Sequence, residues 1–291
     1  MVVTHALLVA TASPDLSWTP DAGPLLLTAG LVGLYVPRWR TVRREHGAQA
    51  AGVFRLLLAL TAALLLLTAL VSPLDALAEQ SIASHMVQHV ILLDLVPVCL
   101  MLSLTKVLLR PLTRRVTAVE RAVGPLAHPA FAAALYVAMM WIWHIPALYD
   151  AALETGTVHA LEHVAFLSAG LLYWWHLLSP IRSRFQRNAM GPVTYMLSTK
   201  LAVGILGIAL TFAPDSVYSY YERRTPVLGL SVTSDQQLAG AIMALEQSLV
   251  MGVALAFLLV RALERSEREE RRRDRLVDAL DEQSNDRFQG S

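Results

Sequence analysis

The stretch at 84–109, SHMVQHVILLDLVPVCLMLSLTKVLL, decides the fold. Its only formally charged residues are Asp94 and Lys106, and it exceeds the roughly 20 residues a helix needs to cross about 30 Å of hydrocarbon. It also opens with HMVQH, whose His85 and His89 stand four apart. In a helix that spacing puts both imidazoles on one face, about 6 Å apart along the axis. One segment therefore combines a membrane span with a pair of metal-ligand side chains.

Six further apolar runs of similar character lie near 20 to 37, 52 to 72, 128 to 147, 157 to 179, 191 to 213 and 236 to 260. The first is the weakest, because Pro24 and Pro37 bracket it, although proline is tolerated in a first helical turn. The fold expected is an all-α integral membrane protein, a bundle of seven transmembrane helices occupying 20–260. Residues 1–19 form an extracytoplasmic N-terminus and 261–291 a charged cytoplasmic tail. The composition agrees: 55% hydrophobic residues, 16% charged and a mean hydropathy of +0.48 are too apolar for a water-soluble chain of 291 residues.

Orientation follows from the basic residues, which short cytoplasmic loops retain during insertion. Arg38, Arg40, Arg43 and Arg44 follow the first run, Arg110, Arg114, Arg115 and Arg121 the third, Arg182, Arg184 and Arg187 the fifth, and Arg261 the seventh. The intervening segments 73–83 and 148–156 contain no Lys or Arg but do contain Asp75, Glu79, Asp150 and Glu154. The N-terminus is thus expected outside and the C-terminus inside, as in a multi-pass protein of a bacterial inner membrane. No Lys or Arg precedes the apolar stretch of MVVTHALLVATAS, so the start reads as a retained N-terminus rather than a cleaved signal. The outer loop 214–235, with Tyr218, Tyr220 and Tyr221, reads as an interfacial aromatic anchor. Glu264 to Arg275 mixes both signs at helical spacing and continues the last helix into the cytoplasm.

Several functions are excluded at this level. A net charge of +1, with basic residues in short clusters, gives no face for nucleic acid. The single cysteine, Cys99, rules out an intramolecular disulfide and a cysteine-only metal site. Metal chemistry here rests on His, Met and carboxylate.

The histidines supply it. Besides HMVQH, WHIP places His144 at the end of the fourth run, and HALEH places His159, Glu162 and His163 at the start of the fifth. At 1.5 Å per residue, His85 and His159 lie roughly 3 Å inside the outer boundary, His144 about 4 Å, and His89 and His163 about 9 Å. Five histidines on three helices share one layer, and polar side chains within a span usually have a functional partner. Copper suits imidazole with optional thioether, whereas calcium and magnesium want oxygen. The expected metal residues are His85, His89, His144, His159 and His163, with Met243 and Asp235 added from the seventh helix. Met86 is a weaker candidate, and Asp235 reads equally well as a helix N-cap. The outer acids Asp75, Asp150, Asp215 and Asp235 attract cations to this face. His5, His46, His128 and His176 fall outside the layer.

Deeper, Asp94, Lys200 and Glu246 each fall about 15 Å from the boundary, near the bilayer midplane. Isolated charges there are costly, so Lys200 is expected to pair with Asp94, Glu246 or both, as helix glue or as a proton relay.

The succession HMVQH, WHIPALYDAAL, HALEH with YWWHLLSP, TFAPDSVYSYY and DQQLAGAIMALE resembles the caa3-type cytochrome c oxidase assembly factor family over about 72–260. The resemblance implies a membrane protein needed to assemble a haem-copper oxidase, with cytochrome c oxidase subunits as partners and copper handled on the outer side. Its histidine motifs map onto His85, His89, His144, His159 and His163, and its acidic start of the last span onto Asp235. The charged tail lies outside that pattern. Two alternatives stay open: a haem protein with axial His89 and His163, and a zinc-dependent intramembrane hydrolase, since HALEH also reads as H-x-x-E-H with Glu162 as base.

Overall fold

The structure is a computed structural model that describes residues 12–181 and 191–289. His5 and the arginines at 182, 184 and 187 lie outside the described residues. Among the described residues every regular element is helical: α1 (Ala22–Ala50), α2 (Val53–Leu70), α3 (Pro73–Ala78), α4 (Ile82–Val90), a π-helical turn (Ile91–Leu95), α5 (Val96–Ser103), α6 (Arg110–Ala122), a 3-10 turn (Gly124–Ala127), α7 (Pro129–Trp143), α8 (Pro146–Glu154), α9 (Gly156–Leu178), α10 (Gly191–Thr211), α11 (Ser219–Glu222) and α12 (Val232–Gln289).

By length and composition three helices can cross a membrane: Val53–Leu70, the continuous Ile82–Ser103, and Gly191–Thr211. A fourth crossing results if Pro129–Trp143 and Pro146–Glu154, bent by 74°, count as one span. All seven expected runs coincide with helices, yet their boundaries differ. The first helix passes through Pro37 and reaches Ala50 after a kink at Gly47, because proline fixes a helical φ and costs chiefly the hydrogen bond its missing N–H would make. The third run ends at Ser103, where Leu104 is extended, and a new helix starts at Arg110. The segment 148–156, expected as an outer loop, is mostly α8; Ile145 is extended and Pro146 occupies the first helical turn, the place proline favours. The last helix continues unbroken to Gln289, 58 residues in all, so its charged end projects well past any bilayer.

The side chains are distributed as a lipid solvent requires. On α10 Leu197, Leu201, Ile205 and Ile208 are all exposed at helical spacing, forming an outward apolar stripe. Buried positions instead include His85, Gln88, His89, Asp94, Glu162, Gln236, Glu246 and Gln247. Around the bundle, α4 and α5 pack against α2, α9 and α12; α7 bridges α9 and α10; and α10 closes on α12.

Two close approaches fix this arrangement. A Cβ at Gly240 of α12 would meet the backbone N of Thr211 at 2.5 Å and the Gly207 carbonyl at 2.7 Å, so small residues let α10 and α12 touch backbone to backbone. A Cβ at Gly170 of α9 would meet the Leu93 carbonyl oxygen at 2.0 Å. Glycine there seats α9 directly on the π-turn, a helical irregularity that often marks functional positions.

Candidate metal centre

The layer read from the sequence becomes a cluster in space. On α4, one helical turn separates His85 and His89, and their ring centroids stand 4.1 Å apart, edge to face. His159 and His163 do the same on α9, at 4.2 Å. The α4–α9 packing brings the pairs together: His85 lies 5.4 Å from His159 with rings nearly parallel, and His89 lies 6.2 Å from His163. His144 sits at the break between α7 and α8, where its backbone leaves the helix, and its ring is 6.3 Å from His89. Its Nδ1 is 2.6 Å from the Met140 carbonyl oxygen. A carbonyl only accepts, so Nδ1 carries the proton and Nε2 keeps its lone pair free for a metal.

Glu162 stands at the centre. Its Oε2 is 3.6 Å from His85 Nε2 and its Oε1 is 3.5 Å from His89 Nε2, with all three side chains essentially inaccessible. One donor atom each from His85, His159 and Glu162 falls within 4.8 Å of the others. Both Glu162 oxygens and the Nε2 atoms of all five histidines are buried without a hydrogen-bond partner. Buried polar groups in folded proteins are nearly always satisfied, so this many orphaned donors and acceptors in one buried layer fits a cation, with His85, His159 and Glu162 the set within mutual reach. The donor set, imidazole with a single carboxylate, matches copper or zinc rather than calcium or magnesium.

Glu162 was absent from the metal residues read off the sequence. The available signal was its isolation: α9 contains no Lys or Arg to neutralise it. Conversely, Met86 and Met243 are buried in the main apolar core. Asp235 serves as a cap across helices. Its Oδ1 accepts from Ser81 Oγ (2.9 Å) and the Ala83 N–H (3.2 Å), and its Oδ2 from the Ile82 N–H (2.7 Å). It thereby satisfies the first turn of α4, which carries His85, instead of its own helix. Two of the other outer acids are similarly occupied. Asp75 accepts from Thr19 and Gln88, and Asp150 from Ser219 and the Tyr220 N–H.

The tyrosines correct an expectation. Tyr218, Tyr220 and Tyr221 are buried at 0%, 4% and 3% exposure, so they are not an interfacial anchor. They cover the cluster: Tyr149 lies 5.0 Å from the His85 ring and stacks on Tyr218 at 3.9 Å, while Tyr221 donates to the Ala78 carbonyl at 2.7 Å. Burying the rings against the histidines removes apolar area from water and shields the site.

The expected ion pair of Lys200 with Asp94 or Glu246 does not form among the described residues. Asp94 takes neutral donors instead: Tyr136 Oη at 2.9 and 3.0 Å and Trp174 Nε1 at 2.8 Å. Asp94 and Glu246 lie close enough to influence each other electrostatically. Asp94 lies on the π-turn, facing Tyr136 of α7 and Trp174 of α9.

A family model described as cytochrome c oxidase caa3 assembly factor matches residues 33–265, which include the whole cluster. No curated protein and no solved structure matches the chain.

Proposed function

Since the chain belongs to the cytochrome c oxidase caa3 assembly factor family, we propose that it assists assembly of a haem-copper oxidase in the bacterial cell membrane by holding copper, as cargo, in the histidine and glutamate cluster. The observation that carries this reading is the convergence of five imidazoles and Glu162 from three separate stretches of chain, their ligating atoms buried and unpartnered. The charge asymmetry of the loops supports an extracytoplasmic position for the cluster, where an oxidase subunit would receive the metal. His85, His159 and Glu162 supply three donors within mutual reach, and His89, His144 and His163 stand beside them as further imidazoles. Neighbouring imidazoles can therefore exchange at the metal, which favours release over permanent retention. This role needs no catalytic step.

The arrangement favours a bare ion over haem. A porphyrin between His89 and His163 would occupy space filled by the His85 and Phe166 rings, 4.1 and 4.3 Å from His89. It also favours holding over hydrolysis, because both Glu162 oxygens face imidazoles instead of an open coordination position for water.

The test is copper content of the purified protein together with oxidase activity of the membranes, in wild type and in His89→Ala, His163→Ala and Glu162→Gln. Each variant is expected to lose copper and to lower oxidase activity. Normal copper and normal oxidase in both histidine variants would refute the reading, and stoichiometric zinc in wild type from unsupplemented cells would turn it toward hydrolysis.

A further inference from the structure

Deeper in the bundle, Asp94 and Glu246 are buried to 1% and 8% exposure, on the π-turn and α12, and they take no part in the histidine cluster. Five residues separate Asp94 from His89, about 7.5 Å of helix. Polar neighbours of the pair come from four helices among the described residues. Tyr136 comes from α7, Tyr173 and Trp174 from α9, Lys200 from α10, and Gln247 from α12.

The hydrogen bonds assign the proton. Tyr136 Oη and Trp174 Nε1 are donors to Asp94, and an indole N–H cannot accept. Asp94 is therefore arranged as an ionised acceptor. Glu246 Oε2 accepts from Gln247 Nε2 at 2.8 Å, while Oε1 is buried without a hydrogen-bond partner. Two buried carboxyl groups within electrostatic reach of each other are costly to ionise together, and Glu246 Oε1, the oxygen without a donor, is the one left to hold a proton. Charge balance gives the same count. Two carboxyls and the Lys200 ammonium, the basic group within electrostatic reach of Glu246, are neutral together only when one proton is bound, and net charge inside a bilayer is expensive.

We propose that Asp94 and Glu246 form a proton-binding site within the membrane, in which Asp94 is the ionised acceptor and Glu246 carries the exchangeable proton. The site is independent of whether the histidine cluster takes copper. Its ligand is a hydron, and Tyr136, Trp174 and Gln247 orient the pair.

The test uses dicyclohexylcarbodiimide on the full chain in membranes, since this reagent attacks protonated carboxyls in apolar surroundings and leaves an adduct that peptide mass spectrometry locates. Wild type is expected to be modified at Glu246. Asp94→Asn is expected to reduce that modification several-fold although Glu246 is intact, because Glu246 and Lys200 then balance with no proton bound. Lys200→Met is expected to preserve or extend it. A role as helix glue alone would leave labelling of Glu246 insensitive to Asp94→Asn, and that result, or an unmodified Glu246 in wild type, overturns the proposal. Should Asp94→Asn fail to fold, infrared spectroscopy of the wild-type membranes decides. A carboxylic-acid carbonyl band that shifts in heavy water and vanishes in Glu246→Gln supports the site, and absence of the band in wild type overturns it.

Discussion

Gly170→Ala is a severe test of the packing that builds the site. The added Cβ would stand 2.0 Å from the Leu93 carbonyl oxygen and 2.8 Å from its carbon, both well short of the ordinary contact that begins at 3.4 Å. Both obstructing atoms are backbone, so no rotamer change relieves them. Overpacking costs about 1–3 kcal/mol, occasionally more, and a rigid backbone clash belongs at the upper end. The intrinsic gain of alanine over glycine in a helix offsets only about 0.5–1 kcal/mol. The net loss should be about 2 kcal/mol, or several degrees in melting temperature at roughly 2–4 °C per kcal/mol. Gly204→Ala on α10 is the control, because nothing lies within 4 Å of its added Cβ, and it should stabilise slightly. Thermal unfolding in detergent, followed by tryptophan fluorescence, measures both. Separation of α9 from the π-turn should also lengthen the Trp174 to Asp94 hydrogen bond and displace Glu162 from His85, so metal retention should fall with stability. Equal melting temperatures for the two alanine variants would refute the claim that α9 rests on Leu93.

Two further outcomes follow from features around the cluster. Asp235→Ala should cost about 1–2 kcal/mol as an N-cap, and it should lower the melting temperature while leaving metal stoichiometry intact at low temperature; loss of metal from a fully folded variant would contradict the capping role. Glu79 lies in the segment between α3 and α4, where burial, followed by the neighbouring Asp75, raises its carboxyl above the ordinary 4.5. A raised carboxyl binds its proton more tightly in the folded state, so stability is greatest below 4.5 and declines as pH rises through the folded value. Glu79→Gln should flatten that decline in a pH series of melting temperatures, and an unchanged slope would show that another group is responsible.

The helices were legible because hydropathy, proline position and the clustering of arginine are local properties of the chain. The histidine layer was legible for a related reason: a helix has a fixed rise, so position along a span gives depth without knowledge of neighbours. Depth alone does not give rotation about the helix axis or the identity of the facing helix. Glu162 among the imidazoles, Tyr218 and Tyr221 folded over them, and Asp235 capping a helix 153 residues away from it in the chain all depend on those quantities. The sequence pattern suggested opposite charges pairing at the midplane, yet Asp94, on a π-turn that no local propensity announces, takes Tyr136 and Trp174 as partners instead of Lys200. Composition and periodicity determined that this chain forms apolar helices carrying histidines at a common level. Tertiary packing, through the two glycine contacts and one irregular turn, decided which side chains meet, because contacts between helices depend on distances of a few ångströms that sequence spacing does not encode.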